Sequence, residues 1–255
     1  MRLLAIDTAT SAVTVAVHDG ERALAERTVV DARRHTELLA PFVREVLREA
    51  GLEPADLTDV AVGTGPAPFT GLRVGIVTAR TTAVALGIPV HGVCSLDALA
   101  HAVALDGVEE AGTSDPPGAS VDELLVATDA RRKEVYWARY ALDGGTGEAG
   151  EVAGGRAVRR IDGPHVARAA DLPEPVRALP TLGRGPGLYP EELPHGRAPL
   201  DVSAAVLADL AARRIADHEP MPTEPLYLRR PDATVAAAVP RSTLAAGVAR
   251  RQGEP

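Results

Sequence analysis

An aspartate followed by small hydroxyl residues stands near the start of the chain. Small side chains at a turn let backbone N–H groups approach phosphate oxygens, and a carboxylate can hold a metal ion through water. The segment therefore predicts a phosphate turn made of Asp7, Thr8, Thr10 and Ser11. The same residues equally allow Asp7 to cap the turn at the strand end and bind nothing.

A second aspartate turn lies in the later half of the chain. Asp129 precedes the apolar run at Val135 by the interval at which Asp7 precedes Val13. This turn, Asp129 to Glu134, contains Arg-Arg-Lys and no glycine, so bulky side chains would keep its backbone away from phosphate. Because phosphoryl transfer needs phosphates held from several sides, we expect no catalysis by this chain alone. The basic cluster is interpreted as a solvated turn.

A glycine-rich loop leads into the second predicted helix. It lacks the Gly-Lys-Ser/Thr ending of a Walker A loop, and Pro68 stands where a dinucleotide fingerprint needs its third glycine. Two interpretations remain: a helix N-terminus that faces an anion, or a turn that only positions the helix. The residues of this candidate site are Gly65, Phe69, Thr70, Gly71 and Arg73.

The helix predicted from Gly71 to Leu86 is apolar around its whole circumference. Such a helix must be covered on every side, and a sheet covers only one face. Small residues at intervals of four form a strip that would let a partner helix come close. Together with the helix predicted from Thr36 to Glu49, this surface gives a candidate partner interface of His35, Thr36, Leu39, Gly75, Ala79, Thr82 and Ala83.

The sequence offers no recognisable ligand set for a metal ion. Cys94 is the single cysteine and lies in an apolar run, which predicts a plain buried thiol. The seven histidines are isolated, and Leu39 stands where an HxxxH pair beginning at His35 would need its second histidine. We therefore expect no metal and no resident cofactor.

The hydrophobic pattern predicts the elements that must position these residues. The first part reads as strands near 3–6, 13–17 and 22–30, then a helix, a strand near 60–62, a helix, a strand near 89–93 and a helix at 96–104 capped by Ser95. After a polar segment at 106–120, strands are predicted at 124–128 and 135–140, then short strands with long loops up to 199 and a helix at 203–216.

These elements predict an N-terminal lobe over 1–105 joined by the helix 203–216, a smaller second lobe over 121–202, and a mobile tail over 231–255. The net charge of −8 argues against broad binding of a phosphate backbone by this chain alone. No apolar run reaches the roughly 18 residues of a membrane span, and the first residues do not form a signal peptide. We therefore expect a cytoplasmic protein.

Five segments together resemble the TsaB family: AIDTATSAVTVAV, RRHTELLAPFV, VGTGPAPFTGLRVGIVTAR, PVHGVCSLDALA and DARRKEVYWARY. The resemblance covers most of residues 2–140, the later PLYLRR also fits, and FTGLR is its most specific part. It implies an α/β fold of the actin-like, Hsp70 and sugar-kinase (ASKHA) type with two lobes, the second degenerate. It also implies a non-catalytic subunit that supports a TsaD-type transferase in forming threonylcarbamoyladenosine at position 37 of tRNAs reading ANN codons.

The resemblance further implies the partners. They are a TsaD-type catalytic subunit bound through the first two helices, a TsaE-type ATPase, and a second copy of the chain when it is alone. Any nucleotide would sit only at the interface of the complex, and tRNA would be reached only indirectly.

One departure and two alternatives accompany this resemblance. The family loop usually reads GPGSFTG, whereas Ala67 and Pro68 stand here in place of Gly and Ser, which argues against a small-molecule role for the loop. A stand-alone kinase or acyltransferase of the same fold is the alternative function, since fold alone does not settle activity. A TsaD-like catalytic subunit is a third hypothesis, but it would need paired metal-binding histidines.

Overall fold

A computed structural model describes residues 1–31, 34–106, 122–143 and 157–229. The first sheet contains β1 (Leu3–Asp7), β2 (Ala12–His18), β3 (Ala23–Val30), β4 (Asp59–Gly63) and β5 (Val90–Val93). Its helices are α1 (His35–Glu49), α2 (Phe69–Leu86) and α3 (Ser95–Asp106). The strand order is β3-β2-β1-β4-β5, with an antiparallel meander followed by two parallel pairings.

The second sheet repeats this topology. Its strands are β6 (Glu123–Asp129), β7 (Glu134–Asp143), β8 (Ala157–Arg168), β9 (Thr181–Leu182) and β10 (Gly196–Arg197), and the later helices are α4 (Glu174–Arg177), α5 (Gly185–Leu188) and α6 (Ala204–Ala216). β6 pairs antiparallel with β7 and parallel with β9, as β1 pairs with β2 and β4. The predicted recurrence of the opening hairpin and the α/β fold class are confirmed.

Three local predictions need correction. α2 begins at Phe69, two residues earlier than predicted, directly after Pro68. Ser95 is the first residue of α3 and does not cap it, because its hydroxyl donates to the carboxylate of Asp7 at 2.6 Å. The stretch expected to hold only short strands contains the twelve-residue β8, which pairs with β7 around a register shift.

Both faces of the first sheet are buried. Leu4 and Ile6 pack with α1 and α2, while Leu3 and Ala5 on the opposite face pack with α3 and α6. Side chains alternate along a strand, so a continuous apolar run is the pattern of a strand covered on both sides. The core that contains Leu3 and Ala5 extends to the second sheet through residues such as Tyr140.

Helix α6 returns late in the chain to complete the first sheet. Ser203 caps it by accepting a hydrogen bond from the Val206 N–H, and its hydroxyl donates to Glu26 of β3 at 2.8 Å. The Ala204 N–H donates to the hydroxyl of Thr14 in β2 at 3.0 Å. These polar contacts fix the start of α6 against the opening meander.

The segment 219–229, here called the C-terminal strap, runs back along the first lobe. The Gly92 N–H donates to Met221 O at 3.0 Å, and the Leu226 N–H donates to Thr64 O at 2.9 Å. A Cβ on Gly92 would lie 2.0 Å from Pro222 O, so only glycine fits where the strap crosses β5. The strap therefore lies directly on the backbone of the sheet.

The strap also covers one flank of α2 and reaches the second lobe. The Arg80 guanidinium donates to the carbonyl and the hydroxyl of Thr223. At the far end, Arg229 donates to Ala130 O at 3.1 Å and forms an ion pair with Glu134. One flank of α2 is thus in contact with the chain's own later residues.

The polar segment predicted after α3 and the predicted tail over 231–255 lie outside the described residues. In the part of the chain that the structure covers, none of the helices has both the length and the apolar character needed to span a bilayer.

Candidate functional site

Asp7 ends β1 and is fully buried. One carboxylate oxygen accepts from the Ser95 hydroxyl at 2.6 Å, and the other accepts from the Ala9 N–H at 2.8 Å. Burial raises the pKa of this carboxyl to about 6 although both hydrogen bonds oppose the shift. Both oxygens are thus engaged by the chain itself. The capping role left open by the sequence fits these contacts, and a role of the Asp7 carboxylate at a phosphate site stays a prediction.

Replacing Asp7 with asparagine should change how stability depends on pH. Between the ordinary pKa of 3.8 and the folded value of about 6, the folded chain binds this proton more tightly than the unfolded chain. Stability from this group therefore falls as pH rises across that window, by about 3 kcal/mol for a shift of this size. Urea unfolding should show that the free energy of unfolding of the variant, relative to that of the wild type, is higher at pH 7 than at pH 4.5. An unchanged difference between the two proteins would contradict the assignment.

The other predicted turn residues line a cleft of about 200 Å³ between the lobes. Thr8, Thr10 and Ser11 contribute one wall, and Thr70 and Gly71 at the start of α2 contribute another. The structure therefore brings the predicted phosphate turn and the predicted helix N-terminus together. The volume is below the roughly 300–1,000 Å³ that is usual for small-molecule sites.

The second lobe closes this cleft with paired charges. Arg131 forms an ion pair with Asp129 at 3.0 Å, and Arg184 binds Asp201 through two nitrogen atoms. Bidentate pairing of an arginine with a carboxylate uses the donors that would otherwise hold a phosphate. These two arginines are thus committed to neighbouring carboxylates.

His35 and Leu39 lie on the inner side of α1. Leu39 is 2% exposed and packs in the core beneath the helix. His35 is 8% exposed, lines the cleft, and its Nε2 atom has no hydrogen-bond partner among the described residues. The assignment of Leu39 to an outer partner interface is wrong, because the apolar face of an amphipathic helix turns to the sheet. Contact of His35 with a partner stays a prediction.

The small-residue strip of α2 also faces inward. Ala79 is 0% exposed and Ala83 is 2% exposed. The Gly75 N–H donates to the Thr8 hydroxyl at 3.0 Å, and a Cβ on Gly75 would lie 2.5 Å from that oxygen. The strip lets α2 approach β1 closely and is closed to a partner, so the prediction for Gly75, Ala79 and Ala83 is wrong.

Three exposed residues of α2, Val77, Thr81 and Val84, are here called the outer α2 face. Val77 is 59% exposed and Val84 is 83% exposed. Spacings of four and three residues place these side chains on one side of the helix. Of the predicted interface residues, Thr36 is exposed on α1 and Thr82 is half-buried on α2. Their contact with a partner stays a prediction.

Phe69 and Arg73 form a cluster with a residue that sequence reasoning missed. The Arg73 guanidinium lies 3.6 Å from the centre of the Phe69 ring, and its Nε donates to the Tyr227 hydroxyl at 3.0 Å. The Phe69 and Tyr227 rings are 5.2 Å apart. Tyr227 belongs to the C-terminal strap, and no periodicity in the sequence signals that it returns to α2.

The backbone of Gly65 shapes the loop before α2. Its φ of +85° is a left-handed conformation that favours glycine. Its carbonyl accepts from the Ser95 N–H at 2.8 Å, and its N–H donates to the Ser95 hydroxyl at 3.2 Å. The loop is thereby fixed to the start of α3.

Within the described residues, no group of three histidine, cysteine or acidic side chains is placed to hold a metal ion. Cys94 is buried as predicted, and burial raises the pKa of its thiol to about 12. The thiol is therefore protonated and inert at neutral pH.

Comparison with known proteins agrees with this architecture. The family model described as "TsaD: tRNA N6-adenosine threonylcarbamoyltransferase" matches residues 26–189. An uncharacterised protein of Mycobacterium tuberculosis is 44% identical over 91% of this chain and 93% of its own length. The tRNA threonylcarbamoyladenosine biosynthesis protein TsaB of Escherichia coli is 37% identical over 56% of each chain.

A solved structure extends the similarity to the whole fold. YeaZ from Pseudomonas aeruginosa superimposes with a TM-score of 0.69 at 29% identity, covering 89% of this chain and 100% of that one. The chain therefore belongs to the family that the matching model describes, and within it to the TsaB proteins.

Proposed function

We propose that this chain is a non-catalytic subunit that supports a TsaD-type transferase in forming threonylcarbamoyladenosine at position 37 of tRNAs reading ANN codons. The names of the E. coli and Bacillus subtilis relatives support the pathway. The observation that carries the non-catalytic role is the turn between β6 and β7, which stands where an enzyme of this fold would need its second phosphate cradle.

Three backbone N–H groups of this turn are engaged by hydrogen bonds within it. The Arg131 N–H donates to the Asp129 carboxylate at 2.7 Å, the Glu134 N–H to Arg131 O at 2.9 Å, and the Ala130 N–H to Glu134 O at 3.0 Å. A phosphate cradle works by presenting free N–H groups to the ligand. Because these donors are engaged within the turn, the second half of a nucleotide clamp is missing.

The proposed partners follow from the open surface and from the family. The outer α2 face and the exposed side of α1 form the contact with the TsaD-type subunit, and two copies of the chain use the same surface when it is alone. A TsaE-type ATPase completes the assembly in the cytoplasm. Any nucleotide sits at the interface between subunits, where a second protein supplies the missing half of the clamp.

A reconstituted modification assay tests the proposal. We expect a TsaD-type subunit, a TsaE-type ATPase and this chain to modify a tRNA reading ANN codons, and omission of this chain to abolish product. The chain alone should neither hydrolyse ATP nor transfer the group. Turnover by the chain alone of about 1 per second, within the ordinary range of enzymes, would instead favour the stand-alone kinase or acyltransferase.

A further inference from the structure

Three of the seven aromatic residues of this chain line one surface groove of about 140 Å³. Phe69 and Tyr227 stand at its edge with 36% and 39% of their surface exposed, and Tyr136 is buried against it. The tilted Phe69 and Tyr227 rings lie 5.2 Å apart. We call this the aromatic groove. In a chain with only 3% aromatic residues, such clustering marks a surface with stacking capacity.

Basic side chains surround the aromatic groove. Arg131 and Arg132 line it, Lys133 follows them in the same exposed turn, and Arg73 and Arg229 lie on its α2 and strap sides. The acidic neighbours Asp129 and Glu134 pair with Arg131 and Arg229. Among the described residues named here, basic groups outnumber acidic ones, on a chain whose net charge is −8.

The turn that presents these charges has an unusual backbone. Arg131, Arg132 and Lys133 have φ values of 63°, 52° and 63°, a left-handed conformation that is costly for residues with a Cβ atom. Such conformations persist where the surrounding structure enforces them, and they concentrate at functional sites. Here the carboxylate of Asp129 holds the turn through the Arg131 N–H. The three long basic side chains are thereby displayed together beside the groove.

We propose that the aromatic groove binds unpaired nucleotides of the tRNA substrate, with a base stacking on Tyr227 and phosphates meeting Arg132 and Lys133. Single-stranded RNA is generally held by aromatic faces and arginine planes along a positive surface. An acidic peptide would be held by charge alone, whereas a base can also stack on an exposed ring. The exposed rings therefore favour a nucleotide. The inference rests on the proposed function, and it differs from the purely indirect tRNA contact that the family resemblance implies.

Binding of RNA by the full chain tests the groove directly. The probes are a fluorescein-labelled tRNA transcript reading an ANN codon and a labelled twelve-nucleotide oligouridylate, followed by anisotropy at several salt concentrations. The double variant Arg132→Glu, Lys133→Glu should bind both at least tenfold more weakly. Because it removes two cations that meet phosphates, the slope of log K against log salt should fall by about 1.4 for the oligonucleotide.

A second variant separates stacking from charge. Tyr227→Ala should weaken oligouridylate binding at least fivefold while leaving the salt slope unchanged, since it removes an uncharged stacking surface. The matched control is Arg22→Glu, Arg159→Glu, which makes the same change in net charge at exposed positions away from the groove. Arg159 pairs with Ala141, at the end of the β7–β8 ribbon opposite Glu134. This control should bind RNA as the wild type does.

The outcomes distinguish this inference from the proposed function. In the reconstituted assay the groove variants should raise KM for tRNA, keep kcat, and still co-purify with the TsaD-type subunit. Variants that bind RNA like the wild type would overturn the groove assignment while the accessory role stands. If the groove variants bound RNA normally but no longer co-purified with the TsaD-type subunit, the groove would be a protein interface and the RNA assignment would be wrong. If omission of the chain left tRNA modification intact, the proposed function would be wrong. The RNA-binding measurements would still decide whether the groove binds RNA.

Discussion

Replacing Val84 with arginine should abolish co-purification of this chain with the TsaD-type subunit and leave the chain folded. Val84 is 83% exposed, so the isolated chain can keep the new charge in water. At the centre of an interface the same charge would be desolvated without a partner, which typically costs several kcal/mol. We expect at least a hundredfold loss of affinity by titration calorimetry, with loss of tRNA modification in the reconstituted assay.

Two further variants show whether the outer α2 face is responsible. Leu188→Arg places arginine on a 48% exposed apolar residue of the second lobe and should bind the TsaD-type subunit normally. Ala79→Arg should unfold the chain, because Ala79 is 0% exposed against the sheet. A folded Val84→Arg protein with wild-type affinity would show that the contact lies on another surface.

Gly63→Ala should be among the most destabilising single substitutions in the first lobe. A Cβ at this position would lie 1.8 Å from a carboxylate oxygen of Asp7 and 2.7 Å from the Ser95 hydroxyl. Asp7 is fully buried, so its displacement would break its hydrogen bonds to Ser95 and Ala9 with no water to replace them. We expect a loss of about 3 kcal/mol or more in the free energy of unfolding, measured with urea.

Gly187→Ala is the matched control for this substitution. No atom lies within 4 Å of a Cβ built there, so alanine should be neutral or slightly stabilising. Adding Asp7→Ala to Gly63→Ala removes the obstructing carboxylate. The double variant should therefore lose less stability than the sum of the single variants. Strict additivity would mean that the contact with Asp7 is not the cause.

The fold was largely predictable because its signals are local. Alternating residues such as Val13 to Val17 and the turn at Gly20 specify a hairpin without knowledge of distant contacts. The same pattern around Asp129 revealed the second sheet before its partner strands were known. The long β8 was missed because its Arg, Gly and Pro residues resemble a loop, and its pairing with β7 is a tertiary contact.

The candidate site was harder to predict because it depends on which way a helix faces. The composition of α2 shows that it is apolar all round, yet small residues such as Ala79 suit a close sheet as well as a close partner. Only the position of Thr8 beneath Gly75 decides between them. Tyr227 lies 154 residues from Arg73, and nothing in its local sequence indicates that contact.

The late position of α6 has a consequence for folding during synthesis. The inner face of the first sheet, with Leu3 and Ala5, is covered in part by α3 and in part by α6. While the ribosome makes the second lobe, part of this apolar face has no cover from its own chain. The first lobe can close only after residue 216 has emerged, so the earlier nascent chain exposes a surface that a chaperone can bind.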